Sequence, residues 1–282
     1  MERPRSFRSW IWPPPPIASR LWLAMAVSTA YAAGVWAVHP NEVTVLPAWT
    51  TQLAVVNTAI LSLLISFRTK VAYDRWWEGR MLWGQLVNNL RNLCLKAREL
   101  AEPDAVERRM FAALITAFPV ALTRHLRGSV QLNEVPNFEK DPATPAHVPA
   151  YIAGKVIAVI TAWRAADRID GHAHQILDTH TSTFMDVCGA CERIRNTPLP
   201  TSYLSLLRHG LVFGFLIAPW AVVETIGLWI LPVQAIVVYF MFGIELTAEA
   251  VEQPFGADGD DLPLETYCET IRRSAEDILT SS

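Results

Sequence analysis

Two charge-free apolar runs, 21–38 and 48–67, open the chain, and an apolar block at 210–244 carries Glu224 as its only charge. A bilayer core of about 30 Å needs roughly 20 helical residues at about 1.5 Å each, so each opening run is long enough, or nearly so, to cross it. The link between them, 39–47, is short, holds Pro40 and Pro47, and has no Lys or Arg, which predicts a tight helical hairpin. The block at 210–244 would reach roughly 50 Å as one helix, too long for a single span. Pro232, after Gly227 and Trp229, is the expected break, and with flanking residues the block gives spans at 203–228 and 232–251. A further apolar stretch, 151–163, is short and carries Lys155 near its centre, so it reads as a buried core helix.

Between the hairpins, 68–202 has a soluble helical pattern. Residues 69–101 follow the second span without proline or a turn cluster, so that helix is expected to continue out of the membrane. Val106, Met110, Leu114 and Phe118 recur every four residues and predict an amphipathic face, ended or kinked by Pro119. The loop at 128–149 holds four prolines, and helices are expected at 150–168 and 172–195. The resulting divisions are 1–67, an N-terminal segment and first hairpin; 68–202, the helical insert; 203–251, the second hairpin; and 252–282, a C-terminal tail.

Charge sets the orientation. The hairpin turns hold none of the 24 Lys and Arg residues, which puts both termini and the insert on the cytoplasmic side. The expectation is a multi-pass protein of a cell inner membrane. Arg3, Arg5 and Arg8 precede an apolar run without a small-residue cleavage site, so that run is read as a retained span. Apolar content of 51% against 18% charged residues agrees with a membrane protein, and a net charge of −3 points away from a nucleic-acid partner.

Three motifs stand at the membrane boundaries in order: SFRTKVAYDRWWEGR at 66–80, CERIRNTPLP at 191–200, and FGIE at 242–245 followed by QPFGADGDDLPLE at 253–265. With the four-span layout, they make the chain resemble the bestrophin family of ion channels, bacterial members in particular, over nearly its whole length. The resemblance implies an all-α homopentamer around one axial pore. The second span would line a hydrophobic neck, and the helical insert would form a wider vestibule with a second constriction. Ala59, Leu63 and Phe67 would be the neck residues, and Ala59 departs from the bulkier family pattern, which widens the outer ring. Family members are mostly anion channels, some bacterial relatives favour cations, and animal members carry a calcium clasp after Pro-Phe-Gly. Asp258, Asp260 and Asp261 occupy that place, though Ala257 and Gly259 thin the acidic run.

The residues by themselves leave alternatives open. Ala59, Leu63 and Phe67 share one helix face, and five copies would stack as apolar rings able to gate by dewetting; equally, they pack against neighbouring helices. Arg75, Trp76 and Trp77 read as an aromatic and basic interface anchor that also braces the neck helix. Glu224, about two turns inside the third span, is a selectivity candidate, either within the membrane or in an outer vestibule. Glu245 and Glu249 are expected to pair with basic residues of the insert. Clustered oxygens suit a hard cation, so calcium at Asp258, Asp260 and Asp261 stands beside the plainer reading of a solvated turn. Cys188 and Cys191 have redox or zinc spacing but no second pair, and so read as structural. His172, His174 and His180 are expected at the surface, with His180 a candidate to titrate near neutral pH. Nothing resembles an enzyme's nucleophile, phosphate loop or metal motif.

The sequence thus predicts a homopentameric, lipid-embedded channel for small monovalent ions, chloride being the expected one. A cation-selective pore of the same fold is the first rival. A non-conducting membrane scaffold whose insert binds a partner is the second.

Overall fold

The computed structural model describes residues 15–38 and 49–280, and among them every regular element is helical. The helices are α1, Pro15–Val38; α2, Trp49–Ala101; α3, Ala105–Arg127; α4, Val148–Ala165; α5, Gly171–Asn196; α6, Thr201–Ile226; α7, Ile230–Val251; and α8, Leu264–Thr280. They fall into two compact units, one built from 1–74 and 198–252, the other from 75–197 and 253–282. Helix α2 is one uninterrupted stretch of 53 residues belonging partly to each. The hairpin turn expected at 39–47 lies outside the described residues.

The first unit holds α1, the beginning of α2, α6 and α7. Helix α1 packs on α6 and α7 through Ala32, Val35, Val223 and Ile230. Polar side chains tie the same helices together: Gln234 donates from Nε2 to Ser28 Oγ at 2.7 Å, and Trp220 donates from Nε1 to the Tyr31 hydroxyl at 2.8 Å. Such bonds suit helices that have no water to pair with. Helix α2 packs on α6 through Leu61, Ile65, Leu207 and Leu211. Gly210 and Gly214, four apart, permit this approach. A Cβ at Gly210 would stand 2.8 Å from Leu61 Cδ2, and one at Gly214 would stand 2.7 Å from Asn57 Nδ2.

The second hairpin breaks at Gly227 rather than at Pro232. Gly227 adopts φ +53°, a conformation that suits glycine, and Gly227–Trp229 forms one 3₁₀ turn. Pro232 instead sits in the first turn of α7, where its missing N–H costs nothing. By length and composition, Ile17–Val38, Thr51–Ala101, Val148–Ala165 and Thr201–Val251 are apolar enough to cross a membrane. The last is two helices, while Val148–Ala165 is α4, which packs on α3 and α5 through Val148, Ile152, Val156, Ile160 and Trp163. Four spans therefore remain: α1, the start of α2, α6 and α7.

The second unit has a conventional buried core. Trp83, Leu86 and Leu90 of α2 join Phe111, Ile115, Phe118 and Leu122 of α3, Phe184 of α5, and Ile271 and Leu279 of α8. Helix α3 starts at a capping box, in which Asp104 accepts from the amides of Val106 and Glu107 while Glu107 accepts from the Asp104 amide. It runs through Pro119 to Arg127, so that proline does not end it. Its buried face is the expected one only in part: Phe118 is buried and Leu114 packs against the core, but Val106 is 68% exposed and Met110 48%. A strict spacing of four drifts about 40° per step around a 3.6-residue helix, so Val106 and Met110, at the far end of the series from Phe118, rotate out of the core that Phe111, Ile115, Phe118 and Leu122 occupy.

Candidate functional site: the uncovered face of the second helix

Within the first unit, α2 has two unlike faces. Leu61, Ile65 and Arg68 are buried, while Ala59 is exposed, and Leu63 and Phe67 are 58% and 55% exposed. Val56 and Ile60 extend this uncovered line outward. At about 100° per residue, Leu63 and Leu61 point to nearly opposite sides of the helix. The apolar line at 56, 60, 63 and 67 therefore does not pack within its own subunit. Beside it run Thr58, Ser62 and Ser66, whose hydroxyls donate to the carbonyls of Ala54, Thr58 and Ser62 at 2.8, 2.8 and 2.7 Å. Their protons are thus turned inward, leaving oxygen lone pairs facing out.

One residue beyond Phe67, Arg68 is 1% exposed and carries a buried ionic cluster. Its Nη2 donates to Glu252 Oε2 at 2.7 Å, its Nε lies 3.5 Å from Glu245 Oε2, and the other Glu252 oxygen accepts from the Leu199 amide at 3.0 Å. Glu249 pairs with Arg20 and Arg208, at 3.2 and 3.3 Å. The expected pairing of Glu249 with the insert is thereby corrected: its partners are span-edge residues one helix away. Of these six side chains, Arg68, Glu245 and Glu252 are buried, while Arg20, Arg208 and Glu249 reach the surface; Arg208 Nε also lies 3.7 Å from Glu245 Oε1. Glu224 occupies the last turn of α6, three residues before Gly227, and is exposed. It lies nearer the helix end than two turns because α6 stops at Ile226.

In the second unit, the interface anchor has a definite task. Arg75 donates to the carbonyls of Ile194 and Thr197, the open C-terminal end of α5. Trp76 donates from Nε1 to the Asp260 carbonyl at 3.1 Å, and Trp77 is half-exposed. The three tail aspartates are not drawn together as a set of ligands. Asp261 turns back so that its Oδ2 accepts from the Asp258 amide at 2.6 Å, and burial raises its pKa.

His180 is half-buried rather than superficial. It donates from Nδ1 to Asn89 Oδ1 at 2.6 Å and accepts at Nε2 from the Lys96 ammonium at 2.7 Å. Burial and that ammonium both hold its pKa below the ordinary 6.5, so it is neutral at physiological pH. Cys188 and Cys191 are fully buried on α5; burial pushes the Cys188 thiol up to about 12 and the Cys191 thiol up as well, as expected of structural thiols.

One cluster escapes sequence reasoning. His125, His147 and Glu192 come from the last turn of α3, the N-cap of α4 and the body of α5, and Glu192 Oε1 receives the two Nε2 atoms at 2.6 and 2.8 Å. Burial works against the charged carboxylate, but the hydrogen bonds from His147 and His125 outweigh it and lower its pKa. Separations of 22 and 45 residues along the chain carry no motif; only the helix packing unites them.

Residues 1–277 match the model of a family described as bacterial/fungal bestrophin protein. A voltage-dependent anion channel-forming protein of Synechocystis is 32% identical over 94% of this chain and 87% of its own length. One of the same description from Nostoc is 31% identical over 81% of this chain and 78% of its own. Among solved structures, a point variant of a bestrophin homolog from Klebsiella pneumoniae superposes with a TM-score of 0.84 at 20% identity, covering 93% of this chain and all of that one.

Proposed function

Because this chain belongs to the bacterial/fungal bestrophin family, we propose that it is a pentameric anion channel of a cell inner membrane, with chloride its ordinary ion and both termini cytoplasmic. It is a channel and not an enzyme. The relatives described as anion channel-forming proteins supply the ion class. The observation that carries the reading is the uncovered line of Ala59, Leu63 and Phe67, backed by a face fully packed within the subunit. Five such lines turned to one axis make stacked apolar rings, which hold back water and ions without any charge. Wide lipid contact accounts for the remaining apolar faces of the spans.

A cation-selective pore is the second reading. It is favoured by the lone pairs of Thr58, Ser62 and Ser66 flanking the apolar line, since outward oxygen without a proton attracts cations and repels anions. Planar-bilayer recording of the purified protein under unequal salt decides between them. Reversal potentials that follow the chloride gradient support the anion channel; potentials that follow sodium or potassium establish the cation pore. No conductance at all, with intact oligomer, leaves the scaffold reading.

A further inference from the structure

We propose that His125, His147 and Glu192 form a binding site for one divalent transition-metal ion, of the kind zinc represents, in the soluble unit of each chain. The three ligand atoms, two imidazole Nε2 and one carboxylate oxygen, lie within 4.8 Å of one another. All three side chains are only partly buried, which leaves a route for the ion and room for water to complete its shell. The two rings stand 4.7 Å apart, facing a single carboxylate rather than the core.

The donor set selects the metal. Two neutral imidazoles and a carboxylate suit zinc, cobalt, nickel or copper, whereas calcium and magnesium ask for oxygen throughout. Ligand lengths of about 2.0–2.2 Å around a tetrahedral ion separate donor atoms by about 3.3 Å. The present contacts of 2.6 and 2.8 Å therefore open by only about half an ångström to admit the ion, a small rotation for partly exposed rings.

Binding has one structural consequence that can be stated at the level of a proton. His147 Nδ1 now accepts from the Ala150 amide at 3.1 Å, so the ring's proton is on Nε2. A metal on Nε2 transfers that proton to Nδ1, with no net release. The Ala150 amide then turns to water, as open amides at a helix start commonly do. The ion would join the end of α3, the start of α4 and α5, adding coordination to the hydrogen bonds and packing already there.

The test uses the full-length channel in detergent, stripped with chelator and dialysed. Calorimetric titration with zinc chloride is expected to give one equivalent per chain, with a melting temperature that rises with zinc and is indifferent to calcium chloride. Glu192→Gln and His125→Ala are each expected to lose that equivalent, while His172→Ala/His174→Ala keeps it. X-ray absorption at the zinc edge of the unmodified protein needs no variant, and is expected to count two imidazoles and no sulfur. Absence of saturable zinc uptake, uptake that survives both Glu192→Gln and His125→Ala, or sulfur ligation by Cys188 or Cys191 would each overturn the proposal. Since the readouts are stoichiometry, melting and ligand count, they stand apart from ion conduction.

Discussion

Arg68 Nη2 lies 2.7 Å from Glu252 Oε2 with both side chains withdrawn from solvent, 184 positions apart in sequence. Removing one member of such a buried set leaves an uncompensated charge, which costs about 3–5 kcal/mol. Arg68→Leu alone is therefore expected to lower the unfolding midpoint strongly. Arg68→Leu/Glu245→Leu/Glu252→Gln, which removes the charges together, should recover most of the loss. Denaturant unfolding in detergent makes the comparison, and equal midpoints for the single and triple variants would contradict the coupling.

Leu63 and Phe67 test the neck. Leu63→Ala/Phe67→Ala is expected to raise liposome ion flux by wetting the constriction, with selectivity little changed. Large-to-small changes at packed positions cost about 2–5 kcal/mol each, but neither side chain packs within the subunit. The melting temperature should consequently hold. Unchanged flux together with a destabilised oligomer would mean that these residues pack between subunits.

Asp258, Asp260 and Asp261 test the calcium reading. With the Asp261 carboxylate occupied by the Asp258 amide, conductance is expected to be the same in calcium and in chelator, and the triple Asn variant should match it. A calcium-dependent current abolished by that variant would establish the clasp. Asp261→Ala separately should loosen the turn by about 1 kcal/mol, the net worth of one hydrogen bond.

His180 sets a pH dependence. Its pKa is lowered in the folded protein, so the unfolded chain takes up the proton more readily. The stability this represents is complete above the ordinary imidazole value of 6.5 and declines as pH falls below it. His180→Gln should flatten the fall in melting temperature between about pH 7 and 5. An unaltered slope would show that other groups cause it.

Topology follows from the turns. A cysteine at Leu228, exposed beside the second hairpin break, should label from the periplasmic side, as should one at Thr44. One at Asn137 should be protected. Periplasmic labelling at Asn137 would overturn the four-span arrangement.

The spans, the hairpin break to within five residues, and the core assignment of α4 were all legible in the chain. Each depends on a local quantity: the length of an apolar run, the conformational freedom of glycine, or a lysine inside a short apolar stretch. The motifs at 66–80 and 253–265 were legible too, though not their work. That Arg75 closes the end of α5, or that Trp76 holds the Asp260 carbonyl, depends on residues more than a hundred positions away.

Periodicity on α3 held for Leu114 and Phe118 but not for Val106 and Met110, because a period of four and one of 3.6 diverge over three turns, and only the packed neighbours chose Phe111 over Met110. Glu224 moved to the helix end because Gly227 took a positive φ, which sequence permits but does not require. Gly210 and Gly214 acquired their meaning when Leu61 and Asn57 came against them. Of the Arg68 cluster only the pairing of Glu245 with a basic residue of the insert was legible; Glu252 and the His125, His147 and Glu192 group were not, for the same reason. Ionic and imidazole partners are selected by distance in space, and distance is decided by how helices pack, not by spacing along the chain.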